Sequence, residues 1–177
     1  MLRLTSLCAV LLVAASWPAS AHGPTPQKIE ETITIKAPPD TVWKVVKDFA
    51  GLSRWHAAVA SCTGDGGNAG GATRTFVLKS GGELVDSLDA YDEAAKSYSY
   101  RLAKENVEVF PVSFYSDTLT VKAAGEGSVV EWTGRFYRGD TGNYPPDTLD
   151  DAAATAAMQK FFREGLESLK ARAEASQ

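Results

Sequence analysis

The sequence has few cysteines, few histidines and no excess of basic residues. Its 177 residues include two cysteines, two histidines and 18 basic against 22 acidic residues, a formal charge of −4. Two cysteines are too few for a scaffold held by disulfides. An acidic chain lacks the positive surface that nucleic-acid binding requires, so we expect no nucleic acid as a partner. Without a Cys/His cluster, a Ser-His-Asp spacing or a close carboxylate motif, the sequence predicts no metal site, no cofactor and no hydrolase motif.

Long hydrophobic runs are also scarce. The apolar run at residues 4–16 is shorter than the roughly 20 residues that a membrane-spanning helix needs. It follows the basic Arg3 and precedes Ala19-Ser20-Ala21, which is the pattern of a secretory signal peptide at residues 1–21. We therefore expect cleavage after Ala21, so that residues 22–177 form a single-domain periplasmic protein without a membrane span.

Signal cleavage would leave one cysteine, Cys62, which we expect to be buried because exposed lone thiols oxidise. It would also make His22 the N-terminal residue, where the amine and the imidazole would chelate copper if His56 completed the site. We expect a solvated terminal histidine instead, with His56 at the surface or at the rim of a pocket. Metal binding through His22 is therefore the weakest functional hypothesis, after the binding-protein and enzyme hypotheses given at the end of this section.

The mature region contains three kinds of pattern. Residues 28–36 alternate apolar and polar side chains, as in a strand, and residues 39–55 place apolar side chains at helical spacing with a break at Gly51, as in two short helices. The residues after Asp147 carry one apolar stripe, as in a long helix. Between them lie candidate strands at residues 57–63, 72–79, 83–91, 97–103, 112–123 and 128–137.

Strands joined by short turns pair in an antiparallel way. The elements therefore predict one α+β domain, with a seven-stranded curved antiparallel sheet around a long C-terminal helix and two short helices after the first strand. One helix cannot fill the concave face of such a sheet completely. We therefore expect an internal cavity with the volume of a small-molecule pocket, about 300–1,000 Å³.

The register of the hairpin around residues 80–82 can be argued from burial. A three-residue loop pairs Phe76 with Asp86 and Lys79 with Glu83, and it places apolar side chains on the inner face. Asp86 then points inward among them. The candidate cavity residues, from the inner faces of the strands and the end of the second helix, are Trp55, Arg74, Phe76, Asp86, Tyr98, Tyr100, Tyr115, Asp117, Trp132 and Phe136.

Two roles stay open for the charged residues in this set. Arg74 with Asp86 or Asp117 would form either a buried structural ion pair or part of a ligand-recognition site. Burying a carboxylate without a partner costs several kcal/mol, so both aspartates should have partners or raised pKa values. The tyrosines and Trp132 bring polar atoms into an apolar interior, which is typical of a small-molecule pocket.

Motifs along nearly the whole mature chain resemble the SRPBCC superfamily, which is also called START-like. The resemblance implies a helix-grip fold with a cavity for a hydrophobic small molecule. Because many ligands and several reactions occur on this fold, the resemblance does not define an activity. The main motifs are Ile35-x-Ala37-Pro38-x-x-x-Val42-Trp43-x-x-Val46-x-Asp48-Phe49-x-x-Leu52-x-x-Trp55, Glu131-Trp132-Thr133 and Gly165-Leu166-x-x-Leu169-Lys170.

A signal peptide followed by the leader His22-Gly-Pro-Thr-Pro-Gln-Lys28 and this domain resembles the periplasmic MxaD-type proteins of methylotrophic bacteria. That resemblance implies an accessory role in methanol oxidation, with a periplasmic alcohol dehydrogenase (methanol dehydrogenase) and its cytochrome c as partners. The leading hypothesis is a non-enzymatic protein that binds a hydrophobic small molecule or assists such a system. The alternative is an enzyme resembling polyketide cyclases and dehydrases, with Asp86 or Asp117 and an inner tyrosine as acid and base.

Overall fold

The computed structural model describes residues 23–176. The predicted signal peptide, residues 1–21, and His22 lie outside the described residues. Within the described part of the chain, no helix is both long enough and apolar enough to cross a membrane.

The described residues form one antiparallel sheet that wraps around a long helix. The elements in chain order are β1 (Gln27–Ile35), α1 (Pro39–Val46), a 3₁₀ turn (Phe49–Gly51), α2 (Leu52–Trp55), β2 (Val59–Gly64), β3 (Thr73–Leu78), β4 (Glu83–Asp92), β5 (Ser97–Lys104), β6 (Val112–Ala124), β7 (Gly127–Arg138) and α3 (Asp151–Ala175). The seven strands lie in the order β1-β7-β6-β5-β4-β3-β2. This architecture confirms the predicted α+β helix-grip fold, with two short helices after the first strand and one long helix at the C-terminus.

Local sequence explains where the helices begin. Pro39 lies in the first turn of α1, where its missing N–H is tolerated, and Asp40 adds a negative charge at the positive end of the helix. α3 begins after Asp150, whose carboxylate accepts a 2.8 Å hydrogen bond from the Ala153 backbone N–H. The buried face of α3, centred on Phe162, packs against β1 and β7 and so covers the concave side of the sheet.

The β3–β4 hairpin has the predicted faces but not the predicted register. Arg74 pairs directly with Asp86, whereas the sequence argument paired Phe76 with Asp86. The connection is longer than predicted, because Gly81 and Gly82 adopt left-handed backbone conformations with φ of 97° and 84°. A shift of two residues keeps every side chain on its original face. The inner face is therefore the one predicted, and Arg74 lies opposite Asp86.

Candidate ligand-binding site

A buried ion pair lies on the inner face of the β3–β4 hairpin. The Arg74 Nε donates a 2.8 Å hydrogen bond to Asp86 Oδ2, and Nη2 forms an ion pair with the same oxygen at 2.8 Å. The Arg74 Nη1 donates to the Phe49 carbonyl at 3.3 Å. The guanidinium also lies 4.4 Å from the ring centroids of both Phe49 and Tyr100. The Tyr115 hydroxyl donates a hydrogen bond to the other oxygen, Asp86 Oδ1. Protein groups therefore occupy both oxygens of this carboxylate.

These contacts bear on the two roles that the sequence left open for Arg74 and Asp86. Arg74 is 1% exposed and Asp86 is fully buried, and each has its partners within the protein. Burial raises the pKa of Asp86, although the Arg74 charge and the Tyr115 hydroxyl lower it in part. A pair whose hydrogen-bonding groups are already taken has little capacity left for a ligand, which favours the structural role.

Asp117 on β6 has a different environment. It is 3% exposed, and its Oδ1 has no hydrogen-bond partner. Gly134 makes the necessary room on β7, since a Cβ at that position would lie 2.6 Å from Asp117 Oδ1. Burial, followed by the nearby Asp86 charge, raises the pKa of Asp117 well above its ordinary value, and the Tyr100 hydroxyl offsets this only in part. Asp117 is therefore a buried acid whose protonated form is favoured.

A small void adjoins Asp117, between the sheet and α3. Its volume is about 10 Å³, which is enough for roughly one water molecule. The prediction of a large internal cavity is therefore wrong for this conformation. Aromatic side chains fill the space, with Trp132 stacked on Phe162 at a centroid distance of 4.3 Å. The void is lined by Phe76, Leu84, Phe110, Tyr115, Asp117, Met158 and Phe161.

A larger groove opens at the surface on the other side of two of these residues. Its volume is about 220 Å³. Phe110, from the β5–β6 loop, and Phe161, from α3, line both the groove and the void, and their ring centroids are 5.7 Å apart. We call these two rings the phenylalanine partition. The groove is lined by Ala58, Leu78, Ser80, Val109, Phe110, Ala157, Lys160, Phe161 and Glu164.

His56 lies behind the partition and is buried, so the prediction of a surface or rim position is wrong. It is 1% exposed, and its ring stacks on Phe161 at a centroid distance of 4.0 Å. Its Nδ1 accepts a hydrogen bond of 3.2 Å from the Ala58 N–H, whereas Nε2 makes none. Gly165 of α3 provides the room, because a Cβ there would lie 2.7 Å from His56 Nε2. Burial lowers the pKa of His56 to about 3, so the imidazole is neutral.

The candidate residues named from the sequence are all buried, but they do not all meet at one cavity. Phe76, Tyr115 and Asp117 border the void. Trp55 and Trp132 pack together with ring centroids 5.7 Å apart, and the Trp132 Nε1–H donates to the Tyr100 hydroxyl at 3.1 Å. The others belong to the surrounding core, and they are Arg74, Asp86, Tyr98 and Phe136.

Sequence reasoning missed Phe110 and Phe161 as parts of the site. Phe110 follows Val109 in a segment without strand alternation, and an apolar pair in a loop is the signal that could have drawn attention to it. Phe161 was visible only as one member of the apolar stripe of α3. Cys62, which we expected to be buried, is free and half-buried. Among residues 23–176, no group of three or more His, Cys, Asp or Glu side chains is arranged to hold a metal ion, and His22 lies outside that range.

Comparison with known families identifies the class of protein that this fold and interior belong to. Residues 26–174 match the family described as polyketide cyclase / dehydrase and lipid transport. The chain therefore belongs to this family, within the SRPBCC superfamily that its sequence motifs resemble. No curated protein matches the chain.

Solved structures with the same fold come from several bacteria. The protein XoxI from Bacillus cereus is 23% identical, with a TM-score of 0.68 over 82% of this chain and 94% of that one. An uncharacterized protein from Bacillus thuringiensis is 22% identical, with a TM-score of 0.68 over 82% and 98% of the two chains. A protein from Thermobifida fusca is 27% identical, with a TM-score of 0.66 over 82% and 92%. These similarities support the helix-grip fold.

Proposed function

We propose that this protein is a non-enzymatic binding protein for a small hydrophobic molecule. In this proposal the surface groove and the internal void are two halves of one site, and they join when the phenylalanine partition opens. The observation that carries the proposal is the position of Asp117. It has a buried carboxyl oxygen without a partner, beside a void that shares Phe110 and Phe161 with the groove. A ligand with a hydrogen-bond acceptor would satisfy the protonated form of this acid.

The two rings of the partition lie in segments that can move apart. Phe161 is only half-buried, and Phe110 belongs to the loop between β5 and β6 rather than to a strand. Local bonds within the loop hold Phe110, such as the 3.0 Å bond from its N–H to the Asn106 carbonyl. The proposal requires both rings to rotate, and the Phe161 ring would then leave its stacking contact with His56, at a centroid distance of 4.0 Å. Segments held mainly by local contacts open at a low free energy compared with the core.

The proposal is tested by titrating the protein with the neutral fluorophore N-phenyl-1-naphthylamine. Phe161→Ala removes one ring of the partition and should increase the affinity, whereas Ala157→Trp fills the groove and should weaken it. Phe110→Leu provides a second, smaller reduction of the partition in case Phe161→Ala folds poorly. Phe114→Ala is the matched control, because Phe114 is 45% exposed and borders neither the groove nor the void. Absence of binding by the wild type and by both enlarged variants would refute the proposal.

A cyclase- or dehydrase-like enzyme is the second candidate. The observation that favours it is that Asp117 and Tyr115 border the void together, where burial raises the pKa of each well above its ordinary value. A buried carboxyl with a raised pKa, such as Asp117, is suited to act as a general acid on an aromatic or apolar substrate, with the protonated Tyr115 as a hydrogen-bond donor beside it. Asp117→Asn would abolish turnover of a substrate and retain its binding if the protein is an enzyme.

We also propose that the protein is exported to the periplasm and assists a periplasmic alcohol dehydrogenase and its cytochrome c in methanol oxidation. The support is the signal-peptide pattern in residues 1–21 and the leader at residues 22–28. Cell fractionation with N-terminal sequencing tests the location, and the expected first residue is His22. Addition of the purified protein to methanol dehydrogenase and cytochrome c tests the partners, and unchanged electron transfer would rule out this role.

A further inference from the structure

The solvent-exposed end of the groove, called its mouth below, has positively charged residues next to apolar lining residues. Ser80, Lys160 and Glu164 line the groove. The same three residues also line an adjoining open pocket of about 420 Å³, and Lys79 borders that pocket. Within residues 23–176, Lys79 forms no ion pair, and Lys160 has only a loose contact of 3.8 Å with Glu164, in which the lysine is 75% exposed. Exposed pairs of this kind contribute little, so both ammonium groups remain able to interact with a ligand.

The inner end of the same path is unsuited to a charged group. Its walls are apolar apart from Tyr115 and Asp117. The nearby Arg74 is already paired with Asp86. An ion transferred to such an interior without a partner loses its hydration and gains nothing comparable in return. A charge on the ligand would therefore stay at the mouth, where Lys79 and Lys160 are.

From these two observations we infer that the site takes a small amphiphile with one negative charge, whose apolar end points inward and whose anionic head lies between Lys79 and Lys160. This inference rests on the proposed function, and it names the ligand class of the same site. The groove, with a volume of about 220 Å³, would hold the apolar part of the ligand, and the adjoining open pocket that Lys79 borders would hold its head. Since 220 Å³ is below the usual pocket volume of about 300–1,000 Å³, the apolar part is a small aromatic group or a short chain.

Two fluorophores with the same ring system separate the charge from the hydrophobic contribution. The anion is 1-anilinonaphthalene-8-sulfonate, and the neutral partner is N-phenyl-1-naphthylamine. Dissociation constants of both are measured for the wild type, for Lys79→Gln/Lys160→Gln, and for Glu164→Gln. Lys28→Gln/Lys44→Gln is the matched control, because it removes the same net charge from surface positions outside the groove.

The lysine double variant should shift the ratio of the two dissociation constants about fivefold against the anion, which corresponds to about 1 kcal/mol in total, or about half of that for each exposed lysine. Glu164→Gln should shift the ratio about twofold in favour of the anion, because it removes the repulsive charge from the mouth. Higher salt should reduce the anion's affinity in the wild type more than in the double variant. The control variant should leave the ratio as it is in the wild type.

Each possible result decides between the claims. Binding of the neutral probe with a ratio that none of the variants changes would overturn the anion inference and leave the proposed function standing. The same shift in the Lys28→Gln/Lys44→Gln control would also overturn it, because the effect would then come from overall charge. Failure of both probes to bind any variant, including Phe161→Ala, would overturn the proposed function itself.

Discussion

Arg74 and Asp86 lie directly opposite each other on β3 and β4, and two nitrogens of the guanidinium lie 2.8 Å from the same carboxylate oxygen. Tyr115 takes the other oxygen, and the rings of Phe49 and Tyr100 flank the cation. Burying such a pair involves a large loss of hydration for both ions, which the complete set of contacts offsets. The stability of the fold should therefore depend on the pair being complete.

Removal of one partner should be far more damaging than removal of both. Arg74→Met leaves the Asp86 charge buried without its cation, and it should lower the free energy of unfolding by about 3–5 kcal/mol. The double variant Arg74→Met/Asp86→Leu replaces both charges with apolar groups and should recover most of this loss. Urea denaturation followed by tryptophan fluorescence measures both. A double variant as unstable as Arg74→Met alone would contradict this account.

Gly165→Ala should destabilise the protein, contrary to the usual effect of this change in a helix. Alanine normally stabilises a helix interior by about 1 kcal/mol relative to glycine. Here the added methyl group would lie 2.7 Å from His56 and 2.8 Å from Trp132, so we expect a net loss of about 1–3 kcal/mol. Thermal unfolding checks the sign. Combining the change with His56→Ala should restore part of the loss, because the imidazole is then absent.

The stability of the protein should fall as the pH decreases from 6.5 towards 3. The pKa of His56 is lowered by burial to about 3 in the folded state, against about 6.5 in the unfolded chain. The unfolded state therefore binds more protons in this range, and unfolding becomes easier as the pH falls. His56→Gln should flatten this part of the profile. Urea midpoints measured between pH 7.5 and 4 test it, and equal slopes for the two proteins would show that His56 is not responsible.

Asp117 should contribute in the opposite direction. Burial, and then the charge of Asp86, raises its pKa in the folded state, so the folded protein holds the proton more tightly than the unfolded chain. This carboxyl therefore reduces stability as the pH rises above the ordinary range for aspartate. Asp117→Asn should increase the urea midpoint at pH 7 and have little effect at pH 3. Asp86→Asn is the contrasting control. The pKa of Asp86 is also raised by burial, but the change leaves the buried Arg74 cation without its counter-charge, and this larger loss should lower the midpoint at pH 7.

The apolar–polar alternation and the turn-forming residues between segments were sufficient to predict the sheet and the helices. They also predicted that the side chains of Asp86 and Asp117 point inward. The same alternation did not determine the β3–β4 register, because a shift of two residues leaves every face unchanged. The turn then depended on the positive φ of Gly81 and Gly82, which period-two patterning does not encode. The opposition of Arg74 and Asp86 is a consequence of that turn.

The volume of the internal cavity cannot be predicted from the pattern of apolar and polar residues. Whether a helix-grip sheet encloses a large cavity depends on the side-chain conformations of a few large residues, here Phe110, Phe161 and Phe162. The burial of His56 likewise depends on Gly165, more than a hundred positions later in the chain. Such contacts join distant segments, and single-sequence patterns describe only neighbours along the chain.

The phenylalanine partition has a consequence for the rates at which a ligand binds and dissociates. One ring belongs to the C-terminal helix and the other to the loop after the fifth strand, so in the proposed site a ligand that enters the void passes between these two elements. The residence time of a bound ligand would then depend on how often the partition opens, rather than on the strength of the contacts inside the site. Variants that reduce the size of either ring, such as Phe161→Ala, should therefore exchange the ligand faster than the wild type.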